Sequence, residues 1–478
     1  MKKILLIALI LTAGLFLASC NRDRSGTAST KLVEWYELPE TAALDTTKQI
    51  TIKFWHRMGA DSQALVQGWI NEFKVLYPNI TVIEEKAAAD YGALADKIAL
   101  AIPAGTAPDI AESYPDHIAR YAQAKAPLAL NHFINHPTLG YSEAEIADFL
   151  PGLWAEGQSY DNEGTILSLP FTKSSEAFFY NATYFQQHGY AVPTTWDEVF
   201  AIAEDIKLRE PDAIPFGYDS EDNLFITASK QWDAPYTGYN EETGKGEVQL
   251  NNAKSKEMVE YFKDKVDRGL MLTRSLNGNA YTSDIMKTNK KLYMYVGSTG
   301  GTRYAYIGAS TTVFNAGYRA GVAPLPAKDA EHRFQIQQGP NINLFNSKDE
   351  QKMIAAWLFA KFMLSPERSA EFCIPSGYAP IRYSAYETEA WTNYVASIVE
   401  NPTTMQQAQD KLVKEAIEIF LNNGEIFFTS AVFNLSSKTR TEAGALLVKI
   451  LAYNATDQAA LRAYIDQEYQ KSYDFITR

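Results

Sequence analysis

Between residues 50 and 122 the chain alternates two periodicities, and that alternation constrains its fold more than any other feature. "QITIKFWHRM" sets Ile50, Ile52 and Phe54 two apart, which predicts a strand with one buried face. "DSQALVQGWINEFKVLYP" follows with Leu65, Trp69, Phe73 and Leu76 on one helical stripe, Asp61 as its cap and Pro78 as its stop. "NITVIEE" reads as a second strand, "YGALADKIALAI" as a second helix and "PDIAESY" as a third strand. Asp116 then opens a helix over "HIARYAQA". Strands that alternate with helices form βαβ units and a parallel sheet. The pattern returns at "GTILSLPFTKSSEAFFYN", "TWDEVFAIAEDIKLRE", "KLYMYVGSTGG" and "AAWLFAKFML", and from residue 404 onward the chain reads as helices alone. A continuous α/β pattern over 478 residues, without a fixed-period repeat, predicts two α/β lobes that share crossovers and leave a cleft between them.

The amino terminus sets the expected address. Lys2 and Lys3 precede an apolar run from Ile4 to about Ala18, and small residues end it; these are the parts of a secretory signal over residues 1–19. The run is shorter than the ~20 residues that span a bilayer. Leu17-Ala18-Ser19-Cys20 resembles the bacterial lipobox, so Cys20 is expected to become the acylated first residue, followed by a polar tether to residue 48. Each buried methylene contributes ~0.8 kcal/mol, and several acyl chains together hold a protein at the membrane. With Cys20 acylated, Cys373 is the one thiol left, and no intramolecular disulfide is expected. A net charge of −13 and no block of Lys and Arg argue against nucleic acid and anionic lipid as partners. The expected protein is exported, lipid-anchored on the periplasmic or extracellular face, and monomeric.

Chemical signatures fail one after another. "GYNEETGKG" has five residues between Gly238 and Gly244, not four, and lacks a hydroxyl after Lys245, so it reads as a surface hairpin rather than a phosphate loop. No GxGxxG, HExxH, CxxC or GxSxG occurs, and the six histidines are scattered; His132 and His136, around Pro137, are expected in a solvated loop. No metal, cofactor or catalytic residue is implied. Acidic residues are plentiful enough to leave a glycosidase pair open, although nothing singles one out. What stands out is the ring content: 28 Tyr, 24 Phe and 8 Trp. Trp69 and Trp357 lie on helical stripes and belong to the core, whereas a minority of rings suits the apolar faces of sugars in a cleft.

Four segments in order carry a resemblance. "FWHRMGADSQALVQGWINEFKVLYPNITV", "LPFTKSSEAFFYNATYF", "PTTWDEVFAIAEDIK" and "AAWLFAKFMLSPERSAEFCIPSGYAPIRYSAY" resemble the family-1 extracellular solute-binding proteins, the receptors of ATP-driven sugar importers. The resemblance runs from about residue 49 to the C-terminus. It implies a periplasmic-binding-protein-like (type II) α/β fold and a permease partner. The first lobe would hold roughly 49–172 and 338–385, and the second 173–337 and 386–478. Hinge crossings would lie near Lys173–Ser175, Gln337–Pro340 and Arg382–Tyr386. No enzymatic activity is implied; a secreted glycan hydrolase is the rival class.

In open parallel sheets ligands sit beyond the carboxyl ends of strands, at the N-termini of the following helices. That rule nominates Trp55 and His56 at the first strand's end, Tyr114 and Asp116 at the third's, and Ser298, Thr299, Gly300 and Arg303 in "VGSTGGTR". Asp61 at a helix start, with Ser174, Ser175 and Gly339 at the crossings, completes the expected lining. Trp232 resembles the family's second-lobe aromatic platform. Within the family, "FWH" and Ser298–Gly301 resemble the glycerol-phosphate receptors, whose late-loop arginine clamps phosphate; maltodextrin-binding members are the other near look. Phe433 stands at the arginine's place here, as a stacking aromatic does in sugar receptors, with Arg303 and Arg382 as the other candidates. A phosphate without a guanidinium fork is costly to desolvate. The expected ligand is therefore a neutral sugar or oligosaccharide, ahead of glycerol 3-phosphate or its diesters.

Overall fold

The computed structural model describes residues 34–478 except 162, 241, 289, 290 and 307; Cys20 and the signal segment lie outside the described residues. β1 (Ile50–His56), β2 (Ile80–Lys86) and β3 (Ile110–Ser113) run parallel in the order β2-β1-β3, with a helix between each consecutive pair. β13 (Asn341–Leu344), from far downstream, pairs antiparallel with β3. β4 (Leu169–Pro170) closes that edge antiparallel to β13. The second sheet is built around β5 (Ser174–Asn181). One side of β5 takes β10 (Met294–Ser298) antiparallel, then β6 (Phe216–Tyr218) and β9 (Met271–Thr273) parallel to it. The other side takes β12 (Gln335–Gln338) at its start and β11 (Ala320–Ala323) at its end, with β14 (Phe427–Phe428) beyond β12. β7 (Thr237–Tyr239) and β8 (Gly246–Val248) form the expected hairpin around Lys245.

Each sheet has its own core. Ile52 and Phe54 of β1 meet Trp69, Phe73, Trp357 and Phe359 from the helices Ala60–Leu76 and Glu350–Met363. Phe178, Phe216 and Val296 meet Trp196, Leu446 and Tyr469 in the second. Fully burying each such side chain stabilises by roughly 1.5–3 kcal/mol. Two details differ from the sequence pattern. The buried stripe of Ala60–Leu76 runs through Val66, Trp69 and Phe73, leaving Leu76 61% exposed; Gly59 holds the cap position and Asp61 lies in the first turn. His136 is buried, with Nε2 3.1 Å from the Pro39 carbonyl, because the chain at 36–45 folds back over that loop.

Two short connections join the sheets: residues 171–173 between β4 and β5, and Gly339-Pro340 between β12 and β13. Lys173 fastens them. Its buried ammonium donates to Glu156 Oε2 at 2.5 Å, to the Gly339 carbonyl at 2.8 Å and to Asn341 Oδ1 at 3.1 Å. Burial pulls its pKa below the ordinary lysine value, against the pull of Glu156. Gln337 of β12 donates to the same carboxylate, at 3.3 Å. Among the described residues no helix is long and apolar enough to cross a membrane.

Candidate functional site

The carboxyl ends of β1, β3, β6, β9 and β10 converge on a cavity of about 860 Å³ between the two sheets. Its first-sheet wall is the turn Arg57–Ser62 with Tyr91, Glu112, Tyr114 and Tyr378. Its second-sheet wall carries Glu176, Asp219–Ser220, Asn223, Tyr295 and the glycine-rich segment after β10, with Thr172 and Gln338 at the connections. The glycine-rich segment is a 3-10 turn (Thr299–Ala305), opened by Ser298, whose hydroxyl accepts the Gly300 N–H at 3.2 Å. Gly300 is required there: a Cβ would lie 2.7 Å from the Tyr378 ring. Arg303 bridges the rim, donating to Asp61 Oδ2 and to the Pro375 carbonyl, both at 3.1 Å.

Three carboxyls on the walls are held toward their neutral forms. Burial raises Glu176 to about 8, opposed by the Tyr218 hydroxyl that donates to it at 2.5 Å. Burial likewise raises Glu112 to about 7, opposed by the Arg57 backbone N–H at 3.1 Å and by the Arg57 charge. Asp219 rises to about 6 by burial, opposed by the Thr282 N–H and hydroxyl at 2.6 and 2.7 Å. A neutral carboxyl both donates and accepts, which suits hydroxyl partners.

Asp61, Tyr114, Ser174, Ser298, Gly300 and Arg303 line this cavity; the other expected residues lie elsewhere. Trp55 shares a strand face with Thr51 and Lys53 and is buried at 8% exposure, with the Lys97 ammonium of the helix Tyr91–Ala104 4.5 Å from its ring centre. His56 is fully buried, hydrogen-bonded to Glu84 and accepting the Met58 N–H at Nδ1, 3.1 Å. Burial lowers its pKa, keeping it a neutral anchor. Ser175 and Thr299 hold each other instead, Ser175 N–H donating to Thr299 Oγ1 at 3.1 Å while Ser175 Oγ donates to the Ile336 carbonyl. Gly339, at φ 99°, packs where a Cβ would strike the Thr172 carbonyl. Trp232 belongs to the second core, against Tyr261 and Phe262. Phe433 covers Gly246 of the β7–β8 hairpin. Asp116 faces a separate pocket of about 40 Å³ beside Tyr236 and Arg440. Arg382 is buried under Phe149, donating to the Leu364 and Glu145 carbonyls, and does not reach the cavity. Sequence reasoning missed Arg57, Tyr91, Glu112, Glu176, Asp219 and Tyr378. Arg57 directly follows "FWH" and Tyr378 lies within "PSGYAP", but no spacing marks either.

Residues 68–399 match the model of a family described as bacterial extracellular solute-binding protein. The chain belongs to that family. This solute-binding protein is 26% identical over 277 residues to the sn-glycerol-3-phosphate-binding periplasmic protein UgpB of Rhizobium meliloti (strain 1021). The match covers 56% of this chain and 61% of that protein, less than two thirds of the relative's length. The crystal structure of UgpB from Mycobacterium tuberculosis in complex with glycerophosphocholine is similar with a TM-score of 0.68 at 19% identity, over 89% of this chain and 98% of that one. Maltose-bound T. maritima MalE3 gives 0.67 at 16% identity, over 89% and 100%. The fold is thus the type II periplasmic-binding-protein fold, as the resemblance implied, and membership makes the chain a solute-binding protein rather than an enzyme.

Proposed function

We propose that this solute-binding protein is the receptor of an ABC importer and captures a carbohydrate, a sugar or an oligosaccharide, in the cavity between the two sheets. The lobes are 49–172 with 338–385, and 173–337 with 386–478; they close about the crossings fastened by Lys173. The loaded form docks on the permease, and Cys20 carries the lipid that keeps the receptor at the membrane on the periplasmic or extracellular face. One observation carries the ligand class: six tyrosines and three carboxyls held toward neutrality line about 860 Å³. That volume lies in the upper part of the ~300–1,000 Å³ range of small-molecule sites, more than a three-carbon phosphate fills. Flat rings take the apolar faces of sugars, and the polar groups between them take the hydroxyls.

Capture needs no chemistry. A ligand touching both walls when closed, and one when open, shifts the population toward closure by that difference in affinity. A micromolar dissociation constant corresponds to about −8 kcal/mol. The UgpB relative favours a second reading, glycerol 3-phosphate or a glycerophosphodiester. A thermal-shift panel of sugars, with the products analysed by chromatography, tests the proposal: a stabilising sugar recovered unchanged is expected, and turnover of any sugar contradicts it. Calorimetry with glycerol 3-phosphate is expected to be silent.

A further inference from the structure

We infer that the captured solute carries one negative charge and that Arg57 recognises it, making the ligand an acidic sugar that presents a carboxylate to the guanidinium. The inference rests on the carbohydrate reading and sharpens it. Arg57 lies on the first-sheet wall with its guanidinium carbon 4.4 Å from the centre of the Tyr91 ring. That stacking fixes the guanidinium plane, and the partners of the side chain on this wall are the neutral hydroxyls of Tyr91 and Tyr378, which leave its charge for an anion. Its Nε is shielded from solvent and has no hydrogen-bond partner. Glu112 accepts from the Arg57 backbone N–H rather than from the side chain. Among the described residues no carboxylate forms an ion pair with Arg57.

The other charges around the cavity are engaged. Arg303 pairs with Asp61 at 3.1 Å, and Lys287 with Asp284 at 2.6 Å. Arg274 donates to the Asn279 carbonyl and stacks on Tyr281 at the mouth. Asp219 takes two donors from Thr282, and Glu176 takes the Tyr218 hydroxyl. The wall at Arg57 therefore carries a half-buried positive charge, and the carboxyl it acts on, Glu112, is held toward its neutral form by burial. A guanidinium facing a carboxyl that burial keeps toward neutrality favours an anionic partner in the cavity. A singly charged oxyanion answers it with two parallel hydrogen bonds along the guanidinium edge, where a doubly charged phosphate would bring one charge too many. The carboxylate of a uronic acid and a phosphodiester share this chemistry, and the test separates them.

Calorimetry on the full chain compares a uronate disaccharide, its neutral methyl ester and a glycerol phosphodiester. The uronate is expected to bind at least ~10-fold more tightly than the ester, the scale of a charged hydrogen-bonded contact. Arg57→Gln brings that ratio close to one, and Arg57→Lys restores part of it. The unliganded melting temperature of each variant, compared with the parent, shows that the fold is kept. An ester that binds as tightly as the acid, or an Arg57→Gln change that weakens both by the same factor, overturns the inference. If only the phosphodiester binds, and through Arg57, charge recognition stands and the carbohydrate reading falls. If sugars bind with no dependence on charge, the carbohydrate reading stands and this inference falls.

Discussion

The tip of β1 is fastened within its own sheet, whereas the tip of β10 reaches across to the opposite body. After β1, His56 locks onto Glu84, the Met58 N–H locks onto His56, and the Arg57 N–H locks onto Glu112 of the neighbouring strand. After β10, Gly300 lies against Tyr378, and Arg303 holds Asp61 and the Pro375 carbonyl. One tip is a preformed floor that costs little further ordering when a ligand arrives; the other is an edge that spans the two bodies, and under the proposed closure its contacts form as they meet. Binding residues on the floor should therefore set affinity directly, and those on the edge should set the closing equilibrium.

Trp55→Ala breaks the floor from beneath and has the largest expected effect. The ring is buried under the helix Tyr91–Ala104 and does not line the cavity, so its loss should cost about 3–5 kcal/mol in urea unfolding. Sugar affinity measured below the unfolding transition should stay within about twofold, since a packing void outside the cavity lining weakens the fold rather than the binding step. A large loss of affinity with unchanged stability would move the ring into the site. Gly300→Ala attacks the edge. Its Cβ would stand 2.7 Å from the Tyr378 ring, forcing the bodies apart; about 1–3 kcal/mol of stability and a tenfold or greater loss of sugar affinity are expected, read by melting and calorimetry.

A pH series sharpens the contrast between buried and exposed groups. Burial raises Glu176 from its ordinary 4.5 to about 8, so the folded state keeps a proton that the unfolded chain releases. Its contribution is fully present below pH 4.5 and is lost as pH rises toward 8. Glu176→Gln should flatten that fall in urea titrations between pH 5 and 8; an unchanged slope would contradict the assignment. Asp61→Asn gives the smallest effect. The Arg303–Asp61 pair sits at the exposed rim, so about 0–1 kcal/mol of stability and a salt-sensitive, few-fold change in sugar affinity are expected.

Much of this fold is legible from period alone, because burial on a strand repeats every two residues and on a helix every three or four. Trp55 shows the limit of that reading. Ile50, Ile52 and Phe54 mark the buried face of β1; on the other face Thr51 and Lys53 are exposed, and only the tip, Trp55, is covered, with Lys97 of the helix Tyr91–Ala104 over its ring. The strand-tip rule located the cavity at the segment after β10 but did not distinguish a side chain aimed into it from one aimed beneath it. Ser298 and Thr299 are adjacent; one lines the cavity, and the other is turned inward to hold Ser175. Arg57, Tyr91 and Tyr378 come from three separate stretches of chain and meet only through tertiary packing, so no local spacing announces them. The fate of Phe433 depends likewise on the β7–β8 hairpin folding against it.

Hydrogen exchange on the full chain, with and without a stabilising sugar, tests the interlobe cavity most directly. Slowed exchange should concentrate at 57–62 and 297–304, on opposite walls at once, with the core around Trp232 unchanged. Protection confined to one wall, or centred on the small pocket beside Asp116, would contradict capture between the two sheets.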